Sequence, residues 1–313
     1  MNELAIYHWW DSESDPLPYQ NLRSPILLSI ATLRSVSDIP IVVLVSKDSK
    51  CYWKDYCNIL NFETQTINFH LEKNKDLVKG YRHLSRIFDL HNYTKKSYKN
   101  TNILYVDSDV FFLNNPIPFC KKTDGFCYDG WNTGYFYYNT SSENYNKFFE
   151  IFDAYTKSAI HSSFLRKFFQ GYVGYHDWYE VWDEMILGYM KIHHPNLFNL
   201  IPIEEHGVCR TLHYANIDNI KMFHANGSIV SNPINGEQHA RGLVCLMINE
   251  FYNNINKILN KNQLIEIYGE NLINYYKNKK FSLLDNIKNL KYVKTQTGHY
   301  DLNRIIHLRN LTL

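Results

Sequence analysis

Ile39 to Val45 is an unbroken apolar run, and Ile103 to Val106 is another. A strand that is apolar at every position, rather than every second one, must be covered on both faces. That condition is met by a parallel sheet between layers of helix. Leu4 to Trp10 alternates weakly and predicts a first strand. Between residues 21 and 36 the apolar positions Leu22, Ile26, Leu27, Ile30, Leu33 and Val36 recur at helical spacing. Pro25 fits the first turn of that helix, where its missing N–H is harmless. Phe62 to Phe69 predicts a further strand and Lys75 to Leu90 a further helix, followed by the strand Asn102 to Val106. Strand, helix, strand, then helix, strand is the pattern of an α/β sheet with helices packed on its faces. In such sheets ligands bind beyond the carboxyl ends of the strands, so an acidic cluster just after a buried strand is a candidate site.

The chain has 313 residues, 45% of them hydrophobic and 20% charged, which is the composition of a globular protein rather than a disordered one. Its net charge of +2 does not call for a nucleic-acid or membrane partner. The basic run from Lys95 to Lys99 reads as a solvated loop before a strand. Six cysteines stand singly, with no CxxC pair, which suits a reducing compartment better than a disulfide framework or a zinc knuckle. Residues 1–10 lack the basic start and sustained apolar stretch of a secretory signal, and no run reaches membrane-helix length. The expectation is a soluble, cytoplasmic protein. The acceptor triplets at Asn92 and Asn226 are what chance gives in an Asn-rich chain. After residue 245 the texture turns Asn/Lys-rich, with helical spacing over 251–273 and 281–293 and no chemical motif. The expected organisation is a catalytic α/β domain over 1–245, a mixed central sheet flanked by helices, and a mainly helical extension over 246–313.

The segment Leu104-Tyr105-Val106-Asp107-Ser108-Asp109-Val110 carries the chemistry. A buried strand runs into two carboxylates one residue apart, and on extended chain alternate side chains share a side. Held together without a cation they would repel, and one would have to stay protonated. Mg²⁺ or Mn²⁺ relieves that repulsion by taking one or two carboxylates and completing its shell with phosphates and water. The bland alternative is a pair of acids that opens a turn or caps a helix.

This segment resembles the DxD motif of GT-A glycosyltransferases, in particular family 8 and its relatives. The resemblance implies a GT-A fold in which Asp107 and Asp109 bind Mn²⁺ (or Mg²⁺), and the metal holds the diphosphate of a UDP-sugar donor. Ser108 then lies near the donor ribose. Three later segments fall in the order such a family requires. Trp131-Asn132-Thr133-Gly134 resembles the Asn-Ser/Thr-Gly strand lining the donor sugar, which implies contacts from Asn132, Thr133 and Gly134. Trp182-Asp183-Glu184-Met185-Ile186-Leu187 resembles an Asp-Gln-x-x-Leu helix start whose acid contacts sugar hydroxyls, with Glu184 standing where that pattern has Gln. His224-Ala225-Asn226-Gly227 resembles the late His-x-x-Gly segment, which implies His224 as third metal ligand and Gly227 beside the nucleotide. Upstream, Arg86 occupies the place of an arginine facing the donor, with Arg82 as its rival. Tyr7, His8 and Trp9 end the first strand, where such enzymes bind the base and an aromatic face can stack on uracil.

Each residue also has an ordinary reading. His224 precedes an Asn-Gly turn, and His206 competes for its role. Asn132 and Thr133 suit a strand end, and Asp183 and Glu184 suit a helix N-terminus. The implied reaction is transfer of a sugar to an acceptor hydroxyl on a glycan, a protein or another molecule. An inverting reaction requires a general base, Asp183 or Glu184, whereas the retaining chemistry suggested by the family-8-like motifs does not. Two other classes compete: a non-catalytic nucleotide-sugar or carbohydrate-binding protein on the same scaffold, and a phosphohydrolase. The latter usually needs further ligands for a second metal. Oligomeric state is not legible.

Overall fold

A computed structural model of the chain describes residues 2–9, 25–47, 49, 55–68, 80–108, 110–112, 114–120, 126–128, 134–161, 183–200, 207–208, 222–224, 258–260, 262–263, 292–295 and 298–301. The elements run β1 (Asn2–Trp9), α1 (Pro25–Arg34), β2 (Ile41–Ser46), α2 (Tyr56–Ile59), β3 (Glu63–Ile67), α3 (Gly80–Ser97), β4 (Thr101–Val106) and β5 (Val110–Phe112). They continue as α4 (Ile117–Cys120), β6 (Phe126–Tyr128), β7 (Tyr135–Asn139), α5 (Glu143–His161), α6 (Asp183–His193), β8 (Phe198–Leu200), β9 (Gly207–Val208), β10 (Met222–His224), β11 (Tyr292–Thr295) and β12 (Gly298–Asp301).

Seven strands form one mixed sheet in the order β3-β2-β1-β4-β7-β6-β8. β3, β2, β1 and β4 are mutually parallel, β7 is antiparallel to both β4 and β6, and β8 is parallel to β6. All six positions of β2 and of β4 are buried, as their unbroken apolar sequences require. β3, by contrast, is an exposed, polar edge, and its Glu-Thr-Gln-Thr sequence suits a strand whose outer side faces water.

The register aligns side chains into rows across the sheet. Val42, Ile6, Tyr105 and Phe136 are cross-strand partners in sequence, and Leu4, Ile103 and Tyr138 form the next row. These residues make one core with Leu84, Ile87 and Phe88 of α3, Phe148 and Phe152 of α5, and Ile186, Leu187 and Met190 of α6. On the other face lies α1. Ser29 donates from Oγ to the carbonyl of Val110, while the Tyr7 hydroxyl lies 3.1 Å from that Oγ. Thr32 Oγ1 accepts the amide of Phe112 at 3.2 Å. Two hydroxyls of a mostly apolar helix thus dock the backbone of β5 and fix where the chain goes after β4.

The predicted helix ending at Leu90 runs on to Ser97. Thr94 is buried, back-bonds from Oγ1 to the carbonyl of Leu90 at 2.8 Å, and lies 3.2 Å from the Tyr138 hydroxyl on β7. Tertiary contact therefore continues a helix that local sequence would end. Lys95 and Lys96, read from sequence as loop, occupy its last turn, where cations suit the helix dipole. Asn100, at φ 49°, turns the chain into β4. Most of the region after residue 245 lies outside the described residues. Within it β11 and β12 pair as an antiparallel ribbon, so Tyr292 and Val293, at the end of the predicted helical stretch, are strand.

His91 is buried against α5, stacked on Phe149 with ring centroids 3.5 Å apart, and its Nδ1 lies 2.9 Å from the Tyr145 hydroxyl. Burial, reinforced by Lys95 and only partly opposed by Asp153, lowers its pKa to about 4. Between pH 6.5 and 4 the unfolded chain takes up a proton that the native state refuses. The stabilising contribution is therefore complete above pH 6.5 and is lost as pH falls toward 4. Urea unfolding of wild type and His91→Phe across that range should show wild type losing up to about 3 kcal/mol relative to the variant.

Candidate active site

Parallel strands β1 and β4 are neighbours, yet the chain leaves β1 toward β2 on one side and reaches β4 on the other. A sheet opens a crevice at the carboxyl ends of two strands that part in this way. β4 delivers Asp107 to that point. β4 ends at Val106, and Asp107 and Ser108 lie just past it, so the strand alternation does not extend to Asp107. The amide of Val110 bonds back to the carbonyl of Asp107 at 3.3 Å, Ser108 is in a turn, and β5 begins at Val110. Asp109 lies outside the described residues, while Ser108 sits half-buried in the turn.

Below the turn is a buried ionic cluster. Arg86 of α3 is 2% exposed and lies between two carboxylates from distant parts of the chain. Its Nη1 donates to Asp107 Oδ1 at 2.7 Å and Oδ2 at 2.6 Å. Its Nε and Nη2 donate to Asp183 Oδ2 at 2.9 and 2.5 Å. Asp183, the first residue of α6, is buried, whereas the Asp107 side chain keeps 22% of its surface exposed. The hydroxyl of Tyr105 donates to Asp107 Oδ1 at 2.7 Å, and the guanidinium carbon lies 5.8 Å from the Tyr105 ring centre.

Burial by itself would lower the pKa of Arg86, but the charges of Asp107 and Asp183 outweigh it and raise the pKa well above the ordinary value. Burial, then the neighbouring Asp107 charge, keeps the Tyr105 phenol protonated and hence a donor. Among the described residues, one buried cation faces two carboxylates, an arrangement in which a further cation is favourable. Asp107 can receive one. Oδ1 already accepts two hydrogen bonds and Oδ2 only one, and a carboxylate oxygen has room for two.

Two other motifs from the sequence meet the same turn. The Asp107 amide donates to the Gly134 carbonyl at 2.7 Å, which seats the end of the Asn-Thr-Gly segment beside the acids. In the small sheet β5-β10-β9, β10 runs antiparallel to β5 with His224 opposite Val110. Since Val110 and Phe112 turn backbone groups to α1, Phe111 is the residue whose backbone faces β10. That makes 110 and 224 a close, non-hydrogen-bonded pair. The side chains of His224, Glu184 and Arg82 are not among those described. Arg82 is one turn before Arg86 in α3. Asn132, Thr133, His206 and Gly227 lie outside the described residues.

At the aromatic end of β1 the side chains pack inward. Tyr7 is fully buried toward α1, and His8 faces α3, with Nε2 3.2 Å from Asp89 Oδ2. Ser85 donates to that same oxygen at 3.2 Å. Both rings belong to the core on opposite faces of the sheet, and Trp9, at the strand end, is 8% exposed. Sequence reasoning missed Tyr105 and Asp89. A polar stripe in α3, Ser85, Arg86 and Asp89, crossing an apolar face was the signal that could have found the latter.

No family model matches the sequence, and no curated protein matches it. Among solved structures, the chain is similar to mouse xyloside xylosyltransferase 1 (11% identity, TM-score 0.42, covering 72% of this chain and 98% of that one). It is also similar to the glycosyltransferase GlyE of Streptococcus pneumoniae (9% identity, TM-score 0.49, covering 90% of this chain and 64% of GlyE). A third is an active-site mutant of LgtC (12% identity, TM-score 0.45, covering 82% and 96%).

The ionic cluster yields a direct test. Arg86→Met leaves two carboxylates without their cation and should cost about 3–5 kcal/mol in denaturant unfolding. Adding Asp183→Asn should recover part of that loss, giving a non-additive double-mutant cycle.

Proposed function

We propose that the chain is a glycosyltransferase that moves a sugar from a nucleotide-sugar donor, a UDP-sugar by the family-8-like motifs, to an acceptor hydroxyl. In this reading Asp107, Asp109 and His224 hold Mn²⁺ or Mg²⁺ at the carboxyl end of β4. The supporting observation is convergence. Segments around residues 86, 107, 134, 183 and 224, spread over more than a hundred residues of sequence, come to one end of one sheet at its switch point.

A bound divalent cation supplies Lewis-acid charge to the diphosphate leaving group. Asp107 and Asp109 would be its carboxylate ligands, and β10 brings the backbone of His224 opposite Val110. Arg86 acts as a positioning residue. Its hydrogen bonds to Asp107 and Asp183 hold the first ligand and the start of α6 in fixed relation. The Gly134 carbonyl accepts the amide of Asp107, and in this reading Asn132 and Thr133 contact the donor sugar. The bond between the anomeric carbon and the phosphate oxygen breaks, the acceptor oxygen bonds to that carbon, and the acceptor proton passes to the leaving phosphate.

This last assignment favours retention. A general base needs access to the acceptor hydroxyl, whereas Asp183 is buried and hydrogen-bonded to a guanidinium. Glu184 is the residue an inverting reaction would use instead.

Purified protein, Mn²⁺ and a panel of UDP-, GDP- and other nucleotide sugars, assayed for released nucleotide, test the proposal. One donor should be slowly hydrolysed, and EDTA or Asp109→Ala should abolish release. The absence of release from every donor, together with no metal-dependent nucleotide binding by calorimetry, would overturn it. Binding without turnover in the presence of a broad acceptor panel would favour the binding-protein reading.

A further inference from the structure

We infer that Tyr105 is a positioning residue for the metal site: its hydroxyl, with Arg86, saturates one oxygen of Asp107 so that the other is presented to the cation. The inference rests on the metal-site reading above and adds a residue that no motif assigns. Tyr105 and Asp107 are two apart at the end of β4, and both turn toward the layer of α3, where Arg86 meets them. Tyr105 is fully buried, its ring stacks on Phe136 with centroids 5.2 Å apart, and the ring therefore has one orientation. The hydroxyl is aimed at Asp107 Oδ1 at 2.7 Å.

Oδ1 is shared between the phenol and Arg86 Nη1, whereas Oδ2 accepts from Arg86 alone. The carboxylate is thereby fixed in rotation by two donors that differ in direction and element. A metal ligand held in this way has already lost its torsional freedom, so binding does not have to remove it. Without the phenol, Arg86 Nη1 straddles both oxygens and permits the carboxylate to swing. The consequence is weaker binding by an otherwise complete site.

Mn²⁺ titration of the intact protein by calorimetry, with no sugar present, reads this directly. Tyr105→Phe keeps the ring, its stack on Phe136 and its burial, and should weaken Mn²⁺ binding about 5- to 10-fold, on the order of one typical net hydrogen bond. Phe136→Leu disturbs the packing around the ring but leaves the hydroxyl. It should lower the melting temperature while Mn²⁺ affinity stays within about twofold of wild type. Wild-type affinity in Tyr105→Phe, with Asp109→Ala abolishing binding, would overturn this inference and leave the metal site standing. Equal weakening by Tyr105→Phe and Phe136→Leu would overturn it too, since loosened packing would then account for both. Unchanged Mn²⁺ binding in Asp109→Ala would instead overturn the metal-site reading itself.

Discussion

The site is organised by the guanidinium of Arg86, buried between Asp107 and Asp183. A buried charge is tolerated only when paired and hydrogen-bonded. Arg suits the position because its planar fork addresses two carboxylates along different edges at once. Three parts of the molecule meet through this contact: the middle of α3, the turn after β4, and the first residue of α6. The apolar core alone would allow these elements to slide against one another, since hydrophobic packing has little directional preference. The ion pairs remove that freedom where chemistry would need it removed.

The cluster depends in turn on how the backbone is placed. β4 is buried on all positions and has neighbours on both sides, parallel β1 and antiparallel β7. Its end therefore has one location, and the Gly134 carbonyl takes the amide of Asp107 there. Past the turn the chain is captured by Ser29 and Thr32 of α1 and by β10. The acidic turn is thus held from the large sheet, from a helix on the opposite face to α3, and from the small sheet.

Much of this was legible in the residues. The alternation of apolar runs and helical spacing predicted the α/β layering, and Pro25 does open α1. Arg86, one of two arginines that sequence order offered, is in contact with Asp107 and Asp183. The end of α3 was not legible, because Thr94 owes its helical place partly to Tyr138, a residue on β7. Nor were the partners of Tyr7 and His8, Ser29 on α1 and Asp89 on α3. Aromatic residues at a strand end look alike whether they meet a ligand, a serine on α1 or an aspartate on α3.

Sequence by itself determined the layered architecture, since the periodicity of apolar residues dictates which faces must be covered. It also determined which residue types were on hand for chemistry: paired acids after a buried strand, an arginine in the preceding helix, an acid at a helix start and a late histidine. Only the tertiary structure decided their grouping. Asp107 and Asp183 are 76 positions apart in the chain, and nothing local couples them; a single guanidinium does, at 2.6 and 2.5 Å. Electrostatic pairing acts over a few ångströms of space, whatever the separation along the chain. The fold had to bring β4, α3 and α6 together before those charges had any bearing on one another.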